Sequence, residues 1–506
     1  MSADPAPAPA ATVAPTTALT EMTTAPTLAD IAAALQGYDP QSLTVASASA
    51  FLQQLVQPIT GTETLPLRDA LGRVLAGDVV SPLDVPAHDN SAMDGYAFDG
   101  SALVPGAPLT LRVVGKALAG AAWTGRVGAG ECVKIMTGAI MPAGLDTVVP
   151  QELTQAASAP AAHSDGERAG GTTSASPTTS ATATATATAS EYIHIPADVL
   201  RPGANRRLRG EDLMQGRVAL ARGALITPAA LGLLASLGLP TVAVQRRLRV
   251  AYFSTGDEIL SLGESPREGA VYDSNRYTVL GLLTRLGAEV IDLGVVRDEP
   301  ALLEAAFCQA AQQADAIITS GGVSVGEADH TRTMMKALGD VAFWRIAMRP
   351  GRPMAVGRID SNKITAKSGS NARTVGASSY QNHTESNPNG AILFGLPGNP
   401  VAVMVTFLAL VRPALLRMMG CTHPTPPLLR AVSTQAIRKK PGRTEYQRGL
   451  VSVGEGGTLQ VRTTGNQGSG VLSSMVQANG LIVLHHDQAS VQSGDVVEVM
   501  VFEGVV

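Results

Sequence analysis

The chain has 506 residues, more than the roughly 300 that one hydrophobic core usually serves, so we expect at least two domains. Its net charge of −4 leaves no large positive field for nucleic acid or an anionic membrane, and neither partner is expected. Three distant cysteines argue against a disulfide framework, and neither they nor the eight histidines have zinc-site spacing: Cys132, Cys308 and Cys421.

Three segments have the low-complexity composition of tails and linkers. Residues 1–27 are mostly Ala, Pro, Thr and Ser, and we predict a disordered tail because they offer little apolar surface to bury. Residues 154–190 and 361–389 are polar and predict two inserted surface loops. The N-terminus lacks a secretory signal, and the longest strongly apolar run, Val401 to Val411, is too short to span a bilayer. We therefore expect a soluble, cytoplasmic protein.

The remaining sequence predicts an α/β multidomain fold. Residues 247–424 alternate apolar strands with helical stretches, which predicts a central α/β domain with a mostly parallel sheet. Residues 85–203 and 425–506 contain short apolar runs separated by glycine and proline, which predict a mostly β domain and a C-terminal β-barrel-like domain. Helical segments in residues 28–84 and 204–246 predict a helical linking domain.

Turns after the first and third strands of the central domain are the best candidates for a binding site. Ligands of open parallel sheets lie at the carboxyl ends of the strands, where glycines allow close backbone approach and helix N-termini bind phosphate. A third segment, Pro397–Asn399, opens an apolar helix. The predicted substrate-binding residues are Ser254, Thr255, Gly256, Asp257, Thr319, Ser320, Gly321, Gly322, Ser324, Pro397, Gly398 and Asn399.

Three carboxylates accompany these turns: Glu258, Asp273 and Asp329. Carboxylates beside a phosphate repel it unless a cation lies between them, so the pattern predicts a Mg²⁺-bridged phosphoanhydride. The alternative is that Asp273 and Asp329 only cap the helices that follow them.

Arginines on a stiff loop predict a second anion pocket. Arg349 and Arg352 flank a Pro-Gly pair, and the helix that begins at Pro400 directs its amide dipoles outward. Together they are suited to a separate small anion. Either segment alone would instead favour a solvated surface turn.

Beyond these features, eight motifs in order resemble the MoeA family, the molybdopterin molybdenumtransferases, which includes the gephyrin E domain. They cover nearly everything outside the tail and the two inserts. The motifs are PLDVPAHDNSAMDGYA (82–97), KIMTGAIMP (134–142), RPGANRRLRGEDL (201–213), FSTGDEIL (253–260), YDSNRY (272–277), TSGGVSVGEADHT (319–331), MRPGRPMAVG (348–357) and FGLPGNPVAV (394–403).

This resemblance implies a four-domain homodimer whose central domain is MogA/MoaB-like and whose active site lies between the two subunits. It implies Mg²⁺-dependent insertion of molybdate into adenylylated molybdopterin, with AMP and molybdenum cofactor as products. It further implies contacts with other cofactor-biosynthesis proteins and with the enzymes that receive the cofactor.

Carried over motif by motif, the resemblance assigns residue roles. Arg349 and Arg352 stand where the family commonly has lysines, and Ala402 where it often has serine. The implied molybdate residues are Arg349, Arg352, Arg443 and Ser469, and the implied metal ligands are Glu258, Asp273 and Asp329. The implied catalytic residues are Asp89, Thr137, Asp212, Glu258, Asp273 and Asp329.

Two other functions compete with this interpretation. A MogA-type enzyme adenylylates molybdopterin and consumes ATP, but the DNSAMDGYA and GEDL motifs are absent from stand-alone adenylyltransferases. A scaffold for membrane-protein clusters, as among relatives of gephyrin, is the second alternative. The retained acidic residues favour catalysis.

Overall fold

The structure is a computed structural model that describes residues 26–157, 191–323, 330–360 and 390–502. Most of the predicted tail, most of the first insert, the second insert, Ser324 and Asp329 lie outside these ranges. The elements before the central domain are α1 Leu28–Ala34, α2 Val45–Leu55, β1 Thr62–Pro66, β2 Val79–Val80, β3 Asn90–Ser91, β4 Gly95–Phe98, β5 Leu109–Ala117, β6 Glu131–Ile135, β7 Thr147–Pro150, β8 Gln155–Ala157, β9 Tyr192–Ile195, β10 Arg206–Arg207, β11 Val218–Leu220, α3 Pro228–Ser236 and β12 Thr241–Gln245.

The predicted mostly β domain is confirmed as a six-stranded sheet in the order β7-β4-β6-β5-β9-β8. Only the β5–β6 pair is parallel. Its strands contribute to two clusters of buried apolar side chains, one of which includes Val133 and the other Phe98. The short pair β3–β10 joins the DNSAMDGYA motif to residues 206–207.

The central domain contains a six-stranded sheet in the order β16-β13-β17-β21-β20-β18. Its first four strands are parallel, as predicted. At one edge, β20 pairs antiparallel with β21, and β18 pairs antiparallel with β20. β13 is buried from Val250 to Thr255, which is typical of a strand covered on both faces. The elements are β13 Arg249–Thr255, β14 Ile259–Leu260, β15 Val271–Tyr272, α4 Ser274–Leu286, β16 Glu289–Val296, α5 Pro300–Gln313, β17 Ala316–Ser320, α6 His330–Leu338, β18 Gly339–Arg345, β19 Met348–Arg349, β20 Pro353–Ile359, β21 Ala391–Leu396 and α7 Pro400–Met418.

Helix α7 is long and apolar enough to cross a membrane by length and composition, but 78% of its most apolar window is buried inside the protein. It packs in the largest core cluster with Tyr252 and Phe394 of the central sheet. Helices α1 and α2 enter the same core through Ile31 and Phe51, although the predicted boundaries assign them to the linking region. The rest of that region contains α3 with the β1–β12 and β2–β11 ribbons.

The C-terminal region contains a closed five-stranded barrel, which confirms the predicted β-barrel-like domain. The order is β23-β24-β22-β26-β25, and β25 pairs again with β23. β19 adds to β23 in parallel, so Arg349 of the central domain pairs with Glu445 of the barrel. The remaining elements are β22 Leu429–Ser433, β23 Thr444–Val453, β24 Leu459–Thr463, α8 Ser473–Gln477, β25 Gly480–Leu484 and β26 Val496–Val501.

Candidate active site

A cleft of about 1440 Å³ lies at the carboxyl ends of the parallel strands and is closed on one side by the barrel. Its position matches the rule for open α/β sheets. Most of the predicted residues of the central domain and barrel meet there: Thr255, Gly256, Glu258, Asp273, Ser320, Gly321, Gly322, Arg349, Arg352, Pro397, Gly398, Asn399, Arg443 and Ser469.

The side chain of Asp273 both caps a helix and keeps an oxygen for another partner. Its Oδ1 accepts a hydrogen bond of 3.0 Å from the backbone N–H of Arg276, which satisfies one open donor of α4. Its Oδ2 is buried and has no partner among the described residues. The capping and site hypotheses for this residue are therefore compatible.

Glu258, the second carboxylate of the cleft, folds back over the turn that precedes it. A Cβ atom on Gly256 would lie only 2.6 Å from Glu258 Oε2, and the glycine has a φ of +139°. The positive φ favours glycine there, and any larger residue would also displace the Glu258 carboxylate.

The residues present fit a divalent cation in part. Across the described ranges, no group of three His, Cys, Asp or Glu side chains is arranged to hold a metal ion, and the third predicted ligand, Asp329, lies outside them. Carboxylate oxygens such as the unpaired Asp273 Oδ2 are the ligands that Mg²⁺ prefers, normally one or two of them together with substrate phosphates.

A further carboxylate in the cleft, Asp298, was missed in the sequence analysis. Asp298 Oδ1 accepts a 3.1 Å hydrogen bond from Thr331 Oγ1, next to the glycine turn. Its backbone N–H donates to Asp257 Oδ1 at 3.3 Å, and Asp257 itself lies outside the cleft lining. Asp298 follows β16, so the carboxyl-end rule would have found it had it been applied to the second strand.

Two predicted polar residues, Ser254 and Thr319, lie behind the cleft rather than in it. Tyr252 OH, Ser254 Oγ and Ser320 Oγ form a closed hydrogen-bonded triangle with sides of 2.8, 2.8 and 3.1 Å. Burial raises the pKa of the Tyr252 hydroxyl above its usual value, so it stays protonated. The triangle holds Ser320 at the rim, and Thr319 is fully buried beneath it.

Arginines form a basic wall of the cleft. Arg349 ends β19, Arg352 lies in the connection from β19 to β20, and Arg443 comes from the barrel, where its Nη2 lies 2.8 Å from Glu445 Oε1. Gly351 stands between the first two arginines with a φ of +94°, and a Cβ atom there would lie 2.2 Å from Thr406 Oγ1 of α7.

Arg448, which the sequence analysis also missed, supports this wall from below. It is 1% exposed and donates to Ser474 Oγ at 3.0 Å and to the carbonyls of Asn466 and Gly468 at 3.2 and 3.0 Å. No described carboxylate pairs with it, and burial, with a smaller effect of Arg349, lowers its pKa to about 10. Arg448 therefore holds the loop that presents Ser469 to the cleft. The second arginine of PGRTEYQRG was its only signal in the sequence.

The three predicted catalytic residues outside the central domain, Asp89, Thr137 and Asp212, do not line this cleft. Thr137 donates its N–H and Oγ1 to Asp94 Oδ1 at 2.7 and 2.8 Å, and these bonds lower the pKa of Asp94. Asp89 Oδ1 accepts from the backbone N–H of Arg209 at 2.8 Å. The N–H of Asp212 bonds to the carbonyl of Val85. Asp94 was missed although it lies in the DNSAMDGYA motif.

Comparisons with known proteins agree along most of the chain. Residues 43–238 match the MoeA N-terminal region (domain I and II), residues 251–417 a probable molybdopterin binding domain, and residues 430–502 the MoeA C-terminal region (domain IV). A molybdopterin molybdenumtransferase of Haemophilus influenzae is 39% identical over 455 residues, 90% of this chain and 97% of that protein.

Two further relatives extend the agreement. Molybdopterin molybdenumtransferase 2 of Mycobacterium tuberculosis is 33% identical over 445 residues, 86% of this chain and 94% of that protein. The crystal structure of the molybdopterin biosynthesis moeA protein from Pyrococcus horikoshii OT3 covers 91% of this chain and 100% of its own, with a TM-score of 0.65 and 24% identity, and it supports the fold.

Proposed function

This chain belongs to the MoeA family, and we propose that its cleft binds adenylylated molybdopterin and molybdate and releases AMP as the metal is inserted. The protein is a molybdopterin molybdenumtransferase of molybdenum cofactor biosynthesis. The release of AMP, the metal dependence and the roles of single residues are the proposed part.

One observation carries the proposal: carboxylates and arginines line a single cleft at different parts of the sheet, which we term its acidic and basic walls. Glu258 and Asp298 follow β13 and β16 and form the acidic wall with Asp273, whereas Arg349 and Arg352 precede β20 and form the basic wall. Strands β17 and β21 lie between β13 and β20 in the sheet. Two anions of different kinds suit this arrangement, because a phosphoanhydride beside carboxylates needs a bridging cation, whereas a free oxyanion is held directly by arginine.

We assign Mg²⁺ to the acidic wall, with Glu258 and Asp273 as its ligands and Asp329 as the third. When bound, the ion neutralises charge that develops on the phosphoanhydride oxygens. The glycine turn at Gly321 and Gly322 allows the backbone to approach the phosphates, and Ser320 is positioned at the rim by its hydrogen bonds. Arg349, Arg352, Arg443 and Ser469 orient molybdate against the dithiolene of the pterin.

The positions of Asp89, Asp94, Thr137 and Asp212 support a second subunit at the site. These residues do not line the cleft of their own chain, so we propose a homodimer in which they face the cleft of the partner. Static light scattering should give twice the mass of the chain, and a monomer at assay concentrations would contradict this part. We also propose a cytoplasmic location and contact with other cofactor-biosynthesis and recipient proteins.

The deciding experiment measures AMP released from adenylylated molybdopterin with and without molybdate. We expect release that depends on both molybdate and Mg²⁺. Consumption of ATP with free molybdopterin, and no AMP release, would support the adenylyltransferase alternative instead.

A further inference from the structure

Asn275, on the first turn of α4, is a cleft residue with only half of its side-chain amide paired. Its Nδ2 donates a 2.7 Å hydrogen bond to the carbonyl oxygen of Gly398, which connects α4 to the loop that opens α7. A carbonyl oxygen only accepts, so this bond fixes which end of the amide is nitrogen. The other end, Oδ1, therefore has to be an acceptor.

This Oδ1 atom is buried and has no partner among the described residues. Asn275 is 8% exposed, and a buried acceptor without a donor costs free energy of about 1 to 3 kcal/mol. Two other cleft residues carry buried oxygens without a partner across the described ranges, the carboxylate Oδ2 of Asp273 and the hydroxyl Oγ1 of Thr255. The amide oxygen of Asn275 can only accept, whereas the Thr255 hydroxyl can also donate.

The chemistry of Asn275 Oδ1 restricts which group of a ligand can pair with it. At neutral pH the oxygens of a phosphoanhydride and of molybdate only accept hydrogen bonds, so neither can satisfy Asn275 Oδ1. A group with a neutral N–H or O–H can do so. On the proposed substrate, such donors occur on the pterin ring, on the adenine amine and on the ribose.

We propose that Asn275 is a substrate-recognition residue whose Oδ1 accepts a hydrogen bond from a neutral N–H or O–H donor on the pterin or nucleoside half of the substrate. This inference rests on the proposed function, and it adds a third kind of contact to the cation and oxyanion contacts. Because Gly398 immobilises the amide, the acceptor is in place before the substrate arrives, which lowers the entropy cost of binding.

The test uses two neutral probes, adenosine and 6-hydroxymethylpterin, and isothermal titration of the full-length protein. Asn275→Leu removes the acceptor and should weaken one probe about tenfold, the value of one hydrogen bond to a buried group, while the other probe and molybdate bind as before. The probe that is weakened identifies which half of the substrate meets Asn275.

Asn275→Asp separates recognition from positioning. It keeps an acceptor but can no longer donate to Gly398, so it should retain the affinity that Asn275→Leu loses. Asn479→Leu is the matched control, because both ends of the Asn479 amide are already paired with the backbone of Val451, at 2.7 and 2.8 Å, away from the cleft. It should change stability alone.

Three results would overturn the inference. The first is that Asn275→Leu and wild type bind each probe with equal affinity, and the second is that the Leu and Asp variants lose equal probe affinity. The third is that AMP release by the variants needs more Mg²⁺ while probe binding is unchanged, which would make Asn275 a metal ligand. Wild-type protein that binds neither probe would also overturn it, while molybdate-dependent AMP release by the same preparation would leave the proposed function intact.

Discussion

At the scale of single residues, one side chain can serve folding and chemistry with different atoms. Asp273 uses Oδ1 to cap α4, and Asn275 uses Nδ2 to connect α4 to the loop before α7. The other oxygen of each side chain, Asp273 Oδ2 and Asn275 Oδ1, has no partner among the described residues. Substitutions that preserve one atom and change the other can therefore separate stability from activity at these positions.

The first prediction concerns Asp273→Asn. Asparagine caps helices about as well as aspartate, so the free energy of unfolding should barely change. The negative oxygen is lost, so turnover should fall by at least about tenfold, roughly 1.4 kcal/mol of barrier, with partial rescue by high Mg²⁺. Urea denaturation and steady-state AMP release measure the two effects. Asp273→Ala should lose about 1 kcal/mol of stability as well, and normal turnover in Asp273→Asn would reduce this residue to a cap.

A second prediction at this scale concerns Cys132, which is buried in the mostly β domain. Burial raises the pKa of its thiol to about 12, so at pH 8 almost none of it is the reactive thiolate. Iodoacetamide should leave Cys132 unmodified in the native protein and label it after unfolding, as mass spectrometry of its peptide would show. Labelling at the rate of a free thiol would contradict this.

The raised pKa of the Cys132 thiol also makes the stability of the folded protein depend on pH. An unfolded thiol ionises near pH 8.5, whereas the folded one keeps its proton to about pH 12. Above about pH 8.5 the unfolded state binds fewer protons than the folded state. The contribution of Cys132 to the free energy of unfolding is therefore fully present below about pH 8.5 and declines as the pH rises toward 12.

The sequence predicted some residues of the cleft and missed others. Glycine turns and carboxylates after the first and third strands identified Gly321, Gly322 and Glu258, because the carboxyl-end rule depends only on strand order. Asp257 comes from the same turn yet bonds to the backbone of Asp298 instead. The direction of a side chain within a turn depends on backbone angles that composition does not encode. Arg448 was missed because its burial depends on barrel closure.

At the scale of elements, the basic loop depends on the close approach of a strand connection to a helix. Gly351 has a φ of +94°, and the space of its missing Cβ is filled by Thr406 Oγ1 of α7. The two arginines therefore project from a loop that rests directly on the core helix.

Gly351→Ala should disturb this loop through both backbone strain and a steric clash. We expect a loss of stability on the order of 2 kcal/mol and molybdate binding weakened at least tenfold, measured by titration calorimetry. Gly494→Ala is the matched control, since Gly494 has a φ of +97° but open space around its Cβ position. It should cost stability and leave molybdate affinity unchanged; equal molybdate losses in both variants would exclude the clash.

Element order was more predictable than strand direction. Helix α4 and the buried strands followed from periodicity and caps, such as Asp273 before α4 and the left-handed Gly287 after it. The antiparallel edge of the sheet did not, because the pairing of β20 with β18 and β21 depends on tertiary packing and not on element order.

At the scale of the whole molecule, both low-complexity inserts leave from the ends of antiparallel strand pairs. Ala157 of β8 pairs with Tyr192 of β9, and Ile359 of β20 pairs with Ala391 of β21. The chain therefore returns to nearly the same point after each insert, and neither sheet needs the intervening residues for its register.

Replacing residues 158–190 with Asn-Gly should therefore leave the fold and activity nearly intact. A short turn suits the end of an antiparallel pair, and loop length affects closure entropy only logarithmically. The melting temperature and the rate of AMP release should match wild type. Insoluble protein, or a loss of activity in soluble protein, would show that the segment has a role of its own.

The position of the second junction has a practical consequence for experiments on substrate entry. β21 begins at Ala391 and ends at Leu396, beside the cleft. Asp360 and Gly390 therefore lie at the opposite end of the strands, roughly 17 Å away along β21. A fluorophore or a surface-tethering tag attached at that end of the strands would leave the mouth of the cleft unobstructed. Molecules immobilised through it should present their active sites to solution in one orientation, which suits single-molecule measurements of cofactor release.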